Sequence, residues 1–364
     1  MKKKLSLITL LVCFAVLFCA CAPKTEKPDV PDNAGENTDA VVTPDDHTEP
    51  TLPTDSEPLI VNVAALKGPT AIGLVKLIDD PKPENSGEAA ANYVCDFAIE
   101  ASADAVTPKL INGELDMAAV PANLASVLYN RTKGEIVTLN INTLGVLYIV
   151  ENGDTVQSVA DLKGKTIYAS GKGSTPEYAL NYMLSAAGLT IGQDVFVEYK
   201  SEHAECVAAL ASEGNAVAML PQPFVTTAMM ANENIRIALD INKEWESATG
   251  NTLVTGVLVA RKAFVDEHTD IVESFLKDYE ASVDYVNHNV SEAAQLVEKC
   301  GIFKADVAEK AIPYCNITFL SGNAMKDKLS AYLAVLYKQN SDAVGGKLPE
   351  DSFYYGYTEE QPNE

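Results

Sequence analysis

Short apolar runs alternate with stretches that carry apolar side chains at helical spacing, from residue 59 to residue 262. Leu59-Ile60-Val61-Asn62-Val63-Ala64-Ala65 reads as a buried strand, and residues 71–78 follow with a helical pattern. Met117-Ala118-Ala119-Val120 is a second strand, leading into a helix through Leu124, Val127 and Leu128. Thr166-Ile167-Tyr168-Ala169 precedes a helix with Ala179, Leu180, Met183, Leu184 and Ala187 on one face, and Gly188 is placed to end it. Strands over 195–199 and 216–220 continue the alternation, which predicts an α/β fold built on parallel sheets. Beyond residue 262 the strands stop. Helical patterns fill 266–289, 292–300, 304–311 and 325–339, and these helices are expected to cover one sheet.

Three short patterns occur twice in the same order. Lys67-Gly68-Pro69-Thr70 follows the first strand, as Lys172-Gly173-Ser174-Thr175 follows Ile167–Ala169. Ala119-Val120-Pro121-Ala122-Asn123 is echoed by Met219-Leu220-Pro221-Gln222-Pro223, and Thr143-Leu144-Gly145-Val146-Leu147 by Thr255-Gly256-Val257-Leu258. The economical reading is two similar lobes: 59–145 and 256–364 form the first, 146–255 the second. The chain would cross between them near Gly145 and return near Gly256, and two such crossing strands make a hinge. Ligands of open α/β sheets bind beyond the carboxyl ends of the strands. Helices starting there aim unpaired backbone N–H groups at the ligand, and glycine lets the backbone approach closely. Ser174 or Thr175 suits a helix cap with Pro176 in the first turn, and Ser174 with Glu177 also fits a capping box that needs no ligand. Such a loop favours a carboxylate, sulfonate, phosphate or nitrate, or the polar edge of a heterocycle.

The N-terminus adds a second kind of information. Lys2, Lys3 and Lys4 precede an apolar run from Leu5 to Ala20, too short to span a bilayer, and this describes a secretory signal over 1–20. Its end, Phe18-Cys19-Ala20-Cys21, resembles the lipobox of bacterial lipoproteins, which makes Cys21 the expected lipidation site. Phe18 departs from the usual leucine, and an ordinary cleaved signal is the alternative. Residues 22–58 hold seven prolines and ten acidic residues against Lys24 and Lys27, with no aromatic residue. That composition predicts a disordered, extended tether over 21–58. The net charge of −24 excludes a nucleic-acid footprint. Of the seven cysteines, Cys95, Cys206, Cys300 and Cys315 fall in the folded part, and Cys300 with Cys315 is open to a disulfide or to buried thiols.

Residues 59–355 resemble the periplasmic-binding-protein type II families of ABC importers, in the nitrate/sulfonate/bicarbonate and thiamine-pyrimidine class. The residues that carry the likeness are Ala64-Ala65-Leu66-Lys67-Gly68-Pro69-Thr70, Leu115-Asp116-Met117-Ala118-Ala119-Val120-Pro121 and Val159-Ala160-Asp161-Leu162-Lys163-Gly164-Lys165-Thr166-Ile167. The resemblance implies a monomer with two lobes around a cleft, a small-molecule ligand, and a permease with its ATPase as partner at the extracytoplasmic face of the membrane. It places Gly68, Pro69, Thr70, Pro121, Asn123 and Thr143 on one side of the cleft, with Gly173, Ser174, Thr175 and Gln222 facing them. Lys67 and Lys172 either assist an anion or stay solvated. Tyr148, Tyr168, Tyr178 and Phe224 lie near the same loops, and two of them in the cleft would favour a flat heterocycle such as a pyrimidine or flavin; otherwise they pack in the core or rim. Trp245, in a polar Lys-Glu-Trp-Glu stretch, reads as surface or rim.

Some proteins of this fold are enzymes of pyrimidine or menaquinone pathways, and a ligand sensor without a transporter is a further alternative. Catalysis needs a nucleophile with a base, a metal cluster or an acid pair. His47 is in the tether, and His268 and His288 fall in charged helices. His203, in Ser201-Glu202-His203-Ala204-Glu205-Cys206, reads as a helix start and not a metal site. No nucleophile elbow, phosphate loop or H-E-x-x-H motif occurs. No catalytic residue, metal or cofactor is expected.

Overall fold

The first strand, β1 (Leu59–Leu66), is apolar on both faces, as a central strand covered by helices on both sides must be. The computed structural model describes residues 57–80, 92–212 and 214–359, which belong to one compact unit, Asp55–Glu364. The expected signal, Cys21 and nearly all of the tether lie outside the described residues. After β1 come α1 (Pro69–Ile72), α2 (Val75–Asp79), β2 (Tyr93–Glu100), α3 (Ala103–Asn112), β3 (Met117–Pro121), α4 (Ala122–Thr132) and β4 (Ile136–Leu144). The chain continues through β5 (Leu147–Asn152), β6 (Thr166–Ala169), α5 (Thr175–Ala186), β7 (Phe196–Tyr199), α6 (His203–Ser212), β8 (Val217–Pro221), α7 (Phe224–Ala231), β9 (Ile235–Asp240) and α8 (Ile241–Thr249). It ends with β10 (Val254–Arg261), α9 (Lys262–Glu267), α10 (Thr269–His288), α11 (Val290–Lys299), α12 (Ala305–Ala311), β11 (Ile317–Leu320) and α13 (Gly322–Gln339).

Two sheets result. One runs β11-β4-β10-β3-β1-β2 and the other β7-β6-β8-β5-β9. The rows β2-β1-β3-β10-β4 and β7-β6-β8-β5-β9 are equivalent, so the first two echoed patterns occupy matching positions, while the third is out of step by two residues, Leu147 and not Gly145 standing where Gly256 does. Pro121 faces Gly256 across the first sheet, as Pro221 faces Leu147 across the second. The sheets are mixed, where parallel ones were expected. β1 is parallel to β2 and β3, and β6 to β7 and β8, while β10, β4, β11 and β5 run antiparallel to their neighbours. A strand that crosses from the other lobe enters from the opposite end, which dictates the antiparallel pairing.

The first crossing lies at Gly145-Val146, between β4 and β5. The return runs through Gly250–Leu253, just before the expected Gly256, which sits inside β10 opposite Thr143 and Pro121. Neither Gly145 nor Gly256 has a positive φ; both are required by close approach. A Cβ at Gly145 would lie 2.6 Å from Asn242 Cγ, and one at Gly256 would lie 2.6 Å from Asn142 Oδ1. Asn242 Oδ1 accepts the Leu147 N–H at 3.3 Å, and Asn316 Nδ2 donates to the Gly145 carbonyl, so side chains of both lobes grip the link.

The final third divides its work. α10, α11 and α12 cover one face of the first sheet, around buried Phe275, Tyr279, Val283 and Val297. The strands do not stop at residue 262, since β11 closes the edge of that sheet against β4. α13 packs into a core shared by both lobes, where its Tyr332 meets Trp245 of α8 at 5.5 Å. Trp245 is 1% exposed, against the expectation of a surface residue. Its neighbours Lys243, Glu244 and Glu246 turn outward while Ile241 and Trp245, four residues apart, share the inward helical face. The four cysteines are free thiols. Among the described residues no helix is long and apolar enough to cross a membrane.

Candidate functional site

The parallel strands β1, β2 and β3 end at Leu66, Glu100 and Pro121, and β6, β7 and β8 end at Ala169, Tyr199 and Pro221. Helices start within a few residues of each end, and between the two sets lies a cavity of about 630 Å³, a size suited to a small molecule. Of the expected residues, Gly68, Pro69, Thr70, Pro121, Ser174 and Thr175 line it, with Lys67, Lys172 and Phe224. Gly173 is exposed in the same loop, with φ +78, between lining Lys172 and Ser174. Gly68, with φ +152, turns the chain from β1 into α1 in a conformation that L side chains rarely adopt.

Besides Gly173, three expected residues do not line the cavity. Thr143 is buried, its hydroxyl donating to Asn142 Oδ1 at 2.9 Å. Gln222 turns inward to accept from the Thr226 N–H at 3.2 Å and its hydroxyl at 2.8 Å, and Pro221 takes its place on the wall. Asn123 is 1% exposed and ties the lobes together. Its Nδ2 donates to the carbonyls of Gly173 at 3.3 Å and Ala343 at 3.1 Å, and its Oδ1 accepts from Thr175 Oγ1 at 3.4 Å. The Tyr332 hydroxyl donates to Thr175 Oγ1 at 3.0 Å, completing a buried network across the cleft.

Other lining residues come from loops that the echo did not mark: Ser102 and Ala103 before and at the start of α3, Ser170 after β6, Ser201 and His203 at α6, and Ile302 with Phe303 after α11. Serine beside a helix start was the available signal for Ser102 and Ser201. Phe303 had none, because its place depends on the packing of the C-terminal helices. Phe303 meets Phe224 of the other lobe edge-to-face, with ring centroids 5.0 Å apart. Tyr148, Tyr168 and Tyr178 are absent from the cavity wall; Tyr148 is buried in the second lobe.

α3, α5 and α6 are each long enough to carry a useful dipole, and all three direct their N-terminal turns at the cavity. Ser102 and Ser174 sit at N-cap positions without a side-chain capping bond. The capping box that was the alternative for Ser174 and Glu177 is not formed. Ser174 Oγ donates to the Gly171 carbonyl at 2.6 Å, while the Glu177 carboxylate accepts from the Gly173 N–H at 2.6 Å. His203 Nδ1 is hydrogen-bonded to Ser170 Oγ, and its ring lies 4.9 Å from that of Phe224. Desolvation pulls the His203 pKa down to about 4, so the ring is neutral at physiological pH. Burial pushes the neighbouring Cys206 thiol up to about 11, which leaves it a protonated, unreactive group. Lys200 is tied to Glu198 at 2.6 Å, and Lys67 and Lys172 are exposed. The anion-attracting elements that line the wall are thus helix starts and the lysines Lys67, Lys172 and Lys200, with hydroxyls and a neutral imidazole beside them.

Two lobes, two crossing links and a cleft ringed by helix starts are the architecture of the periplasmic-binding-protein fold. Within it, the chain belongs to the phosphonate periplasmic substrate-binding protein family of ABC transporters, whose model matches residues 88–308. It is therefore a substrate-binding protein of an ABC import system, acting outside the cytoplasm. Among solved structures, an ABC transporter protein from Parabacteroides distasonis aligns at 25% identity, over 83% of this chain and 99% of that one, with a TM-score of 0.68. The periplasmic aliphatic sulphonate binding protein SsuA from Escherichia coli shares the fold at 15% identity and TM-score 0.65, over 85% of this chain and 96% of its own. The alkanesulfonate-binding protein SsuA from Xanthomonas axonopodis pv. citri, bound to MOPS, aligns at 15% identity and TM-score 0.61, over 81% and 96% of the two chains. Among curated proteins none matches the chain.

Proposed function

We propose that this chain captures a phosphonate- or sulfonate-type oxyanion between its lobes and delivers it to a membrane permease driven by an ATPase. Lipid on Cys21 would hold it at the membrane through the acidic tether, as a monomer. The observation that carries the reading is the convergence of Ser102, Ser174, Ser201 and His203 at the starts of three helices on one cavity. Backbone N–H groups in the first turns of these helices have no intrahelical partner and favour a bound anion, which would compete with Glu177 for the Gly173 N–H and with Glu205 for that of Ser201.

Thermal unfolding with methylphosphonate, ethanesulfonate, nitrate, an amino acid and a pyrimidine tests the reading. A ligand at a hundred times its dissociation constant stabilises by about 2.7 kcal/mol. The first two are expected to raise the melting temperature, and a response to the pyrimidine or amino acid alone would refute the oxyanion site. Among the described residues, the Ser170–His203 pair is the feature that favours a catalytic reading. Catalytic imidazoles are normally held by an acid on the second nitrogen, and His203 makes no such bond among the described residues. Turnover of a bound ester would overturn the binding role.

A further inference from the structure

The two ends of the cleft differ in chemistry, and this narrows the ligand beyond its charged group. We infer that the ligand is an organo-oxyanion whose other end is aromatic or compactly apolar, seated against Phe224 and Phe303, and not an aminoalkyl oxyanion. The inference rests on the oxyanion reading of the same site. Over the carboxyl ends of the neighbouring strands β6 and β7 the wall carries Ser170, Ser174, Ser201 and His203, with Lys172 and Lys200. Leu147 and Pro221, on the paired strands β5 and β8, Phe224 of α7, Pro121 of β3, and Ile302 with Phe303 make the rest of that wall apolar. His203 stacks on Phe224 at 4.9 Å, and Phe224 meets Phe303 at 5.0 Å with a 79° interplanar angle, so three rings lead from the polar end to the apolar one. Phe224 and Phe303 are half-buried and keep open surface toward the cavity. They come from opposite lobes, so this aromatic wall exists only when the lobes are together. A further ring laid against it gains edge-to-face contacts as well as burial.

The volume points the same way. A cavity of about 630 Å³ is far larger than a bare tetrahedral anion needs. The acids on the wall, Asp104 and Glu202, are both exposed, and no buried carboxylate lines the cavity among the described residues. An ammonium carried into the apolar end would lose its hydration without a fixed counter-ion, which is costly. A neutral apolar group loses nothing there.

Calorimetric titration of the full chain tests this with phenylphosphonate, methylphosphonate, 2-aminoethylphosphonate and the neutral benzyl alcohol as probes. Burial of one ring predicts phenylphosphonate about tenfold tighter than methylphosphonate, or better, with 2-aminoethylphosphonate the weakest of the three. Phe303→Ala, and separately Phe224→Ala, should draw the ratio of the first two toward one. Equal affinity for the phenyl and methyl compounds, or tightest binding of the amino compound, overturns the inference while leaving the oxyanion site standing. Binding of benzyl alcohol alone, or of none of the four, overturns the oxyanion reading and this inference with it.

Discussion

The rims of the two lobes share a topology and differ in what they offer a ligand. In the first lobe Gly68, Pro69 and Thr70 are buried and α1 spans four residues, although the Thr70 hydroxyl donates to the Leu66 carbonyl at 3.1 Å much as Ser174 Oγ does to the Gly171 carbonyl in the second. In the second lobe Lys172, Gly173, Ser201 and Glu202 are exposed, and helices of twelve and ten residues start there. A helix of one turn develops little dipole, whereas the second lobe presents two full ones. Repeated topology thus fixed where the cleft is, and divergence gave the second lobe most of the polar recognition while the first supplies α3 and much of the wall.

That asymmetry can be broken most severely at charge. Ser174→Asp puts a carboxylate at the start of α5 and should weaken methylphosphonate binding at least about a hundredfold, the loss of roughly 2.7 kcal/mol or more, by calorimetry. The charge reversal Lys67→Glu, on the first-lobe wall where solvent screens the side chain, should cost less. Equal losses at the two positions would show that the lobes share recognition evenly. Asn123→Ala acts on the contact between lobes. It strands the Gly173 and Ala343 carbonyls and the Thr175 hydroxyl, at about 1–3 kcal/mol, and should lower both the melting temperature and ligand affinity. A fall in stability with affinity unchanged would reduce Asn123 to a packing role.

The smallest effect is pH-dependent. Glu151 of β5 is buried, and desolvation works to raise its pKa. Bonds from the Thr155 hydroxyl, from the Val156 and Thr155 N–H groups and from Arg236 at 3.0 Å outweigh it and hold the carboxyl below its ordinary range. A depressed acid stabilises the fold above its unfolded pKa, and that contribution disappears as pH falls through the folded value. Glu151→Gln should therefore melt lower at pH 7, with the gap closing toward pH 3. A constant gap would contradict the assignment. In the first lobe Asp116 holds Arg261 at 2.6 Å and accepts the Asn62 N–H at 2.9 Å, a second buried acid fixed by the same devices.

The lobes were legible in the sequence because each opens on a strand, a glycine turn and a helix, and those local signals recur. β2 was not read because Asp96 and Glu100 break the continuous apolar run that marks the other strands, although Tyr93, Cys95, Phe97 and Ile99 keep a strand's alternation. Three of the expected cleft residues were misplaced by side-chain direction. Gln222 and Pro221 are neighbours, yet one turns to Thr226 and the other to the cavity. Asn123 and Thr143 lie near the cleft and spend their polar groups on protein partners. Phe303 was unreadable for a different reason. It lies about eighty residues beyond Phe224 and reaches it only through the docking of α10 to α12, which no local pattern encodes.

Amide hydrogen exchange on the full chain, with and without methylphosphonate, tests the division between the lobes most directly. Ligand should protect the amides from Ser174 to Glu177 and from His203 to Cys206 more strongly than those from Gly68 to Ile72. Protection centred on Gly68 to Ile72, or none at the starts of α5 and α6, would contradict it.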